Sequence, residues 1–407
     1  MMKRILLLCL SLACVGLQAK TRKAVFVIID GVPADRIEQL RPPTLMSIAK
    51  AGHYSRAYCG GDVGCYNETR TISAVGYTNI LTGTWFNKHN VKGNSNIEEN
   101  YSYPTVFRIA KDQPRSVSTA LFSSWTDNRT ILLGEGREET RCLKIDYVCD
   151  GYDNDTLAYP HVPGDLHLRD IDGRVCDEAA KCIAANAPDL SWIYLWYTDD
   201  AYHQYGYGKF TDEAVLNADR QLAPVWDAIQ KRQKETDEEW LVIVTTDHGR
   251  DVWGRSHGRQ SQSERTVWMI CNQKKLNRQF FRPTLSHVDI APTICRWMGF
   301  ERMEEIQTEM DGIPFVGKTD IYGLRAEPYD REVTLRWQHE GPNATAQIFV
   351  ATTNDFARGK SDKWTKAGET DAKNKEFRLN LDDYGRSDFY KFLVCTPSTT
   401  LNCWLKK

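Results

Sequence analysis

The chain has 407 residues, with 52 Lys+Arg against 54 Asp+Glu, a formal net charge of −2, 41% hydrophobic and 26% charged residues. That length suits one large domain plus a small one. The even charge balance excludes a nucleic-acid-binding surface as the main business, so no duplex is expected as a partner.

At the N-terminus, Lys3-Arg4 precede an apolar run from Ile5 to Leu17, and Leu17-Gln18-Ala19 closes it with a small residue. Residues 1–19 therefore read as a signal peptide, which implies a secreted or periplasmic protein; 13 apolar residues are too few to span a membrane. A lipid anchor on Cys14 is the alternative, weakened by Ser11 where such a signal usually carries Leu. No later stretch is long and apolar enough for a transmembrane segment. Ten of the 12 cysteines lie beyond residue 19. An exported chain with an even number suggests disulfides, and nearness in sequence pairs Cys59/Cys65, Cys142/Cys149, Cys176/Cys182 and Cys395/Cys403, leaving Cys271/Cys295. With no C-x₂-C pair, a cysteine-held zinc is disfavoured.

From residue 20 to about 325 short β-branched runs alternate with helical patterns. Thr44 to Ala51 reads as a helix stopped by Gly52, and Val215 to Gln230 carries Val215, Leu216, Leu222, Val225, Trp226 and Ile229 at helical spacing. Such alternation predicts a mostly parallel α/β sheet sandwiched by helices. Several runs end in residues with chemistry. Asp30 follows Ala24-Val-Phe-Val-Ile-Ile, Asp199 and His203 follow Trp192 to Thr198, and Asp247-His248 follow Leu241 to Thr246. His257 comes nine residues after His248, and Ser73 opens Ser73-Ala-Val-Gly-Tyr-Thr-Asn-Ile-Leu-Thr-Gly83. Ligands bind beyond the carboxyl ends of parallel strands. Three carboxylates, three imidazoles and a hydroxyl at one sheet edge make a two-metal site.

The composition shifts near residue 325. Val333 to Trp337, Gln347 to Ala351 and Phe389 to Cys395 alternate apolar and polar, separated by Glu340-Gly-Pro-Asn and Asp382-Asp-Tyr-Gly. Residues 331–407 are read as a small all-β sandwich that resembles a fibronectin type III or immunoglobulin-like module. The expected domains are thus 1–19, 20–325 and 331–407.

Asp30-Gly31, Asp199-x-x-x-His203, Thr245-Thr-Asp-His-Gly249 and Ser256-His-Gly258 occur in the order used by the alkaline phosphatase superfamily, and the chain most resembles its type I phosphodiesterase/nucleotide pyrophosphatase branch. In that branch a Thr-Gly pair follows the nucleophile by nine residues, and Thr82-Gly83 puts Ser73 in the slot. The branch also carries an Asn in a His-Gly-x-x-x-Asn context; His89-Asn-Val-Lys-Gly-Asn94 supplies Asn94 21 residues beyond Ser73. Both spacings favour Ser73 over Thr69 or Thr71, with Thr71 the remaining alternative. The resemblance implies two Zn²⁺, one held by Asp30, Ser73, Asp247 and His248, the other by Asp199, His203 and His257. It implies attack by Ser73 through a phospho-serine intermediate, with Asn94 holding a phosphoryl oxygen. It also implies a small phosphodiester or nucleotide substrate.

Departures shape the reading. Sulfatases of the superfamily follow the nucleophile with x-Pro-x-Arg, where this chain has Val75 and Tyr77. Its monoesterases use extra cations in a Ser-x-Lys-Asp-Arg-like stretch, whereas Ser124-Trp-Thr-Asp-Asn-Arg129 lacks the Lys and displaces the Arg. A monoester carries about two negative charges near neutral pH, so a diester is favoured, and Arg129 keeps a phosphomonoesterase as the alternative. A second alternative is a surface-binding protein, its C-terminal module contacting a glycan or protein and its metal site vestigial. Trp85, Phe86, Trp125, Tyr205 and Tyr207 are candidates to stack on a base or sugar, against the blander role of packing.

Overall fold

The structure is a computed structural model that describes residues 20–301 and 304–406. The signal-peptide and Cys14 expectations fall on residues 1–19, outside the described residues. No described helix is long and apolar enough to cross a membrane.

Seven strands form the central sheet: β1 (Thr21–Ile29), β2 (His53–Tyr58), β3 (Thr119–Ser123), β4 (Tyr147–Cys149), β5 (Leu190–Leu195), β6 (Glu238–Thr245) and β7 (Thr266–Cys271), in the order β2-β7-β6-β1-β5-β3-β4. From β6 to β4 every pairing is parallel, while β7 runs antiparallel to both β6 and β2. The expected mostly parallel sheet is therefore present, with an antiparallel edge. Successive residues of β1 serve opposite faces, as a period of two requires. Phe26 and Ile28 join Trp192, Tyr194, Leu241 and Ile243 in one core. Val25, Val27 and Ile29 join Ile193, Leu195, Val242 and Val244 in the other. Helices Ser73–Thr82 and Ile290–Met298 pack into the first core, and Pro43–Ala51, Leu166–Asn186 and Lys209–Glu235 into the second. Burial on both faces explains why the central strands are almost wholly apolar. The helix expected over Val215 to Gln230 is longer and continues through Pro224, which is exposed, so the carbonyl that proline leaves without a partner faces water.

Strands β8 (Ile321–Tyr329), β9 (Glu332–His339), β10 (Thr345–Ala351), β11 (Thr365–Asp371), β12 (Glu376–Asn380), β13 (Phe389–Cys395) and β14 (Thr400–Lys406) make two antiparallel sheets, β12-β9-β8 and β11-β10-β13-β14. Val333, Leu335 and Trp337 of the first sheet share a core with Ile348, Val350, Phe392 and Val394 of the second. At the start of β13, the Tyr390 hydroxyl donates to the Gly385 carbonyl, 2.8 Å away, closing the corner before the strand as in immunoglobulin-like sandwiches.

This unit is fastened to the α/β part through buried charge. Lys391 meets Glu309 and, at 2.7 Å, Asp362. Lys88 reaches Asp311 Oδ1 and the Glu309 carbonyl at 2.6 Å and Asn402 Oδ1 at 2.8 Å. Tyr66 stacks on Trp404 with ring centroids 5.7 Å apart.

No disulfide joins the described cysteines. Cys176 and Cys182, paired by nearness in sequence, lie six residues apart on one helix. That spacing is about 9 Å along the axis, beyond the Cα separation a disulfide spans. Cys403 pairs in register with Phe392, and Cys395 with Thr400, so those two cysteines do not face each other either.

Candidate active site and metal centre

Asp30, Asp199 and Asp247-His248 sit just past the carboxyl ends of β1, β5 and β6, three adjacent parallel strands. The turn after β1 needs a glycine at 31, where φ is +63° and a Cβ would stand 2.1 Å from Arg250 Nη2 and 2.6 Å from Asp199 Oδ1. The turn is tied to the end of β6 by Gly31 N–H to Asp247 Oδ1 and Val32 N–H to Thr246 Oγ1, both 2.9 Å.

The first cluster is Asp30, Asp247, His248 and Ser73. Its acids and imidazole are buried, Asp247 and His248 with no exposed surface at all. His248 Nδ1 lies 3.0 Å from the Gly249 carbonyl, which sets the tautomer and leaves Nε2 to face the cluster. That Nε2 is 3.2 Å from Asp247 Oδ2, 3.6 Å from Asp30 Oδ1 and 3.4 Å from Ser73 Oγ. Asp30 Oδ2 accepts hydrogen bonds from the Tyr77 hydroxyl and, at 2.7 Å, from the Tyr194 hydroxyl. Asp30 Oδ1 and Asp247 Oδ2 have no hydrogen-bond partner. Burial first, then the charges of Asp247 and Asp199, raise the Asp30 carboxyl well above its usual range. Burial and then Asp199 push Asp247 up to about 7. Two orphaned carboxylate oxygens converging with a ring nitrogen are what a divalent cation requires, and its charge would reverse those shifts.

The second cluster is Asp199, His203 and His257. His203 Nε2 stands 3.1 Å from His257 Nε2 and 3.2 Å from Asp199 Oδ2. Tetrahedral zinc sets neighbouring nitrogen ligands about 3.3 Å apart, so the spacing fits that ion. His257 Nδ1 is 2.8 Å from the Thr71 carbonyl, which leaves Nε2 for the cluster. The His203 and Asp199 side chains share a face because they are four residues apart on helix Tyr197–Tyr205. His248 Nε2 is 3.7 Å from Asp199 Oδ1, and its ring stacks on His257 at 3.6 Å, so the two clusters are contiguous.

Ser73 is the first residue of its helix, and no side chain of the preceding residue caps it. Asn94 takes that role across space, its Oδ1 accepting the Ala74 N–H at 2.9 Å. The other candidate hydroxyls are committed elsewhere. Thr71 Oγ1 donates to the Arg259 carbonyl at 2.7 Å and accepts from Gly258 N–H at 2.9 Å. Thr69 Oγ1 donates to the Asn67 carbonyl at 2.8 Å. Arg129 is held by Asp150 at 2.7 Å and Glu135 at 2.8 Å, and among the described residues no contact links it to either cluster. Of the five aromatic candidates, Trp85 is buried, Phe86 and Trp125 half-buried, and Tyr205 and Tyr207 exposed.

Three residues of the site escape the sequence reading: Tyr77, Tyr194 and Arg250. Tyr194 carries a detectable signal, since a hydroxyl inside a wholly buried strand must find a partner. Arg250 is fully buried; its Nη2 contacts Asp199 Oδ1 and lies 3.1 Å from the Asp199 carbonyl, and its Nε donates to the Gly31 carbonyl at 3.0 Å. Burial opposes ionisation of Asp199, but Arg250, aided by His203, His248 and His257, holds its carboxyl well below the usual range.

The carboxylates, imidazoles and helix-start serine thus lie beyond the strand ends of a helix-sandwiched, mostly parallel sheet. The model of the type I phosphodiesterase / nucleotide pyrophosphatase family matches residues 24–252, more than half of the chain, and the chain belongs to that family. No curated protein matches it. Among solved structures, a putative sulfatase from Bacteroides thetaiotaomicron shares 11% identity at a TM-score of 0.52, with 89% of this chain and 86% of that one covered. A protein in the alkaline phosphatase superfamily from Vibrio parahaemolyticus shares 14% identity at a TM-score of 0.47, covering 90% and 84%. Phosphonoacetate hydrolase from Sinorhizobium meliloti shares 19% identity at a TM-score of 0.41, and this chain spans 57% of its length and is itself covered to 57%.

Proposed function

We propose that the chain is an exported two-zinc phosphodiesterase or nucleotide pyrophosphatase that works through a phospho-Ser73 intermediate. The observation that carries the reading is the pair of buried, partnerless oxygens, Asp30 Oδ1 and Asp247 Oδ2, facing His248 Nε2 with Ser73 Oγ 3.4 Å from that nitrogen. Asp30, Ser73, Asp247 and His248 would hold one ion, and Asp199, His203 and His257 the other. When bound, zinc supplies Lewis-acid charge that favours the serine alkoxide and steadies the leaving oxygen of an in-line displacement.

The remaining steps belong to the chain. Ser73 Oγ attacks phosphorus, an Oγ–P bond forms, and the bond from phosphorus to the leaving oxygen breaks, that oxygen taking a proton. First-turn N–H groups of the Ser73 helix have no helical partner and offer donors to a non-bridging phosphoryl oxygen. Asn94 spends its Oδ1 on Ala74, which leaves its NH₂ group as a further donor beside the nucleophile. Water then cleaves the Oγ–P bond and restores the serine. Tyr77 and Tyr194 keep Asp30 oriented throughout.

A diester or anhydride fits better than a monoester, because Arg129, the cation that favoured the alternative, is spent on Asp150 and Glu135. Export rests on the sequence of residues 1–19. The test is hydrolysis of bis-p-nitrophenyl phosphate by Ser73→Ala: activity should vanish while zinc still binds, and unchanged turnover would refute the assignment. The ratio of kcat/KM for diester over monoester should exceed one.

A further inference from the structure

The two clusters differ in the charge they offer a cation. Around the first, Asp30 and Asp247 are both buried, and their hydrogen-bond donors are neutral: the Tyr77, Tyr194 and Thr246 hydroxyls and the Gly31 N–H. The cluster thus offers a cation two carboxylates that no cationic side chain among the described residues contacts. The second cluster has one carboxylate, and a guanidinium already holds it. Arg250 contacts Asp199 at Oδ1 and at the main-chain carbonyl, is anchored to the Gly31 carbonyl, and has no exposed surface. Its guanidinium lies 5.3 Å over the Tyr202 ring, a further fixed contact. The glycine at 31 gives Arg250 its passage, since a Cβ there would overlap Nη2. The one carboxylate is thus matched by a guanidinium before any ion arrives. This cluster is also the more open one, the His203 side chain being 40% exposed.

Resting on the two-metal reading above, we infer that Arg250 makes the two ion sites unequal: Asp30, Asp247, His248 and Ser73 hold a tight resident ion, while Asp199, His203 and His257 hold an exchangeable one. A dication entering the first cluster meets two carboxylates with no cation beside them in a low-dielectric interior. One entering the second competes with a guanidinium for Asp199 and is repelled by it. Arg250 is here a positioning residue: it fixes Asp199 with Oδ2 turned to His203 and sets the affinity of the ion beside it, without touching substrate.

The test is a stepwise Zn²⁺ titration of the metal-free full-length protein against a chromophoric chelator. The wild type should bind two equivalents whose affinities differ by at least about 100-fold. Asp247→Asn should remove the tight step and His203→Asn the weak one. Arg250→Met should tighten the weak step and shrink the gap to about tenfold or less, whereas Arg250→Lys, which keeps the charge, should preserve the gap. Two equal affinities in the wild type would overturn the inference and leave the two-zinc reading standing. A gap unchanged in Arg250→Met, with both ions bound, would do the same. Binding of no zinc at all would overturn both. Should Arg250→Met fail to fold, Arg250→Gln carries the same test, while the wild-type and His203→Asn titrations show which site is the weak one.

Discussion

Two regions of the molecule bury clusters of charge, and they do it in opposite ways. Where the C-terminal sandwich meets the α/β part, each buried lysine is met by carboxylates of the protein: Lys391 by Glu309 and Asp362, Lys88 by Asp311. At the carboxyl ends of β1 and β6, Asp30 and Asp247 are equally buried, but no lysine or arginine among the described residues contacts them, and each keeps one oxygen without a partner there. A buried ion pair completed within the chain is a fastening. A pair of buried carboxylates left incomplete beside an imidazole fits the cation proposed above. The Asp199 cluster lies between these cases, its one carboxylate partly completed by Arg250.

The comparison can be broken most sharply at the site. Ser73→Ala should lower diester kcat/KM by about 10⁴-fold or more, measured with bis-p-nitrophenyl phosphate. Chelation should abolish turnover and lower Tm, because the buried Asp30 and Asp247 then lose the cation that favours their folded, ionised forms. In the metal-free protein burial raises both carboxyls, Asp247 to about 7. Folding therefore disfavours their ionised forms, so the metal-free Tm should fall as pH rises through about 7, and a Tm flat across that range would contradict the account. At the interface, Lys391→Met leaves Glu309 and Asp362 unmatched and should cost about 3–5 kcal/mol in denaturant unfolding, with zinc content unchanged. Tyr194→Phe removes one of the two donors on Asp30 and should weaken zinc binding by about 10–100-fold while the fold persists. Arg129→Met should alter diester kcat/KM by less than about threefold, the smallest of these effects, since no contact among the described residues links it to the clusters.

Much of the candidate site is legible in the sequence because each proposed ligand ends an apolar run or follows one closely, and a parallel sheet brings such ends together whatever their separation along the chain. Asp30, Asp199 and Asp247 are read this way, and the distances from Ser73 to Thr82-Gly83 and to Asn94 single out the helix-start serine. What supports the ligands is not legible. Arg250 follows Gly249 and looks like one more surface cation; its burial depends on a turn at Gly31, 219 residues away, that lacks a side chain. Tyr77 looks like a core aromatic until the structure turns its hydroxyl toward Asp30. The antiparallel edge made by β7 and β2 is hidden too, because a short buried strand reads the same in either direction. Cysteine pairing by nearness fails at Cys176 and Cys182 because a helix carries near neighbours apart.

The most direct measurement of the central claim is mass spectrometry of the protein quenched in acid during turnover of bis-p-nitrophenyl phosphate. A p-nitrophenylphosphoryl adduct is expected on the peptide that carries Ser73, absent from Ser73→Ala and from chelated protein. Turnover that proceeds with no adduct, or an adduct placed on Thr71 or Thr69 instead, would contradict it.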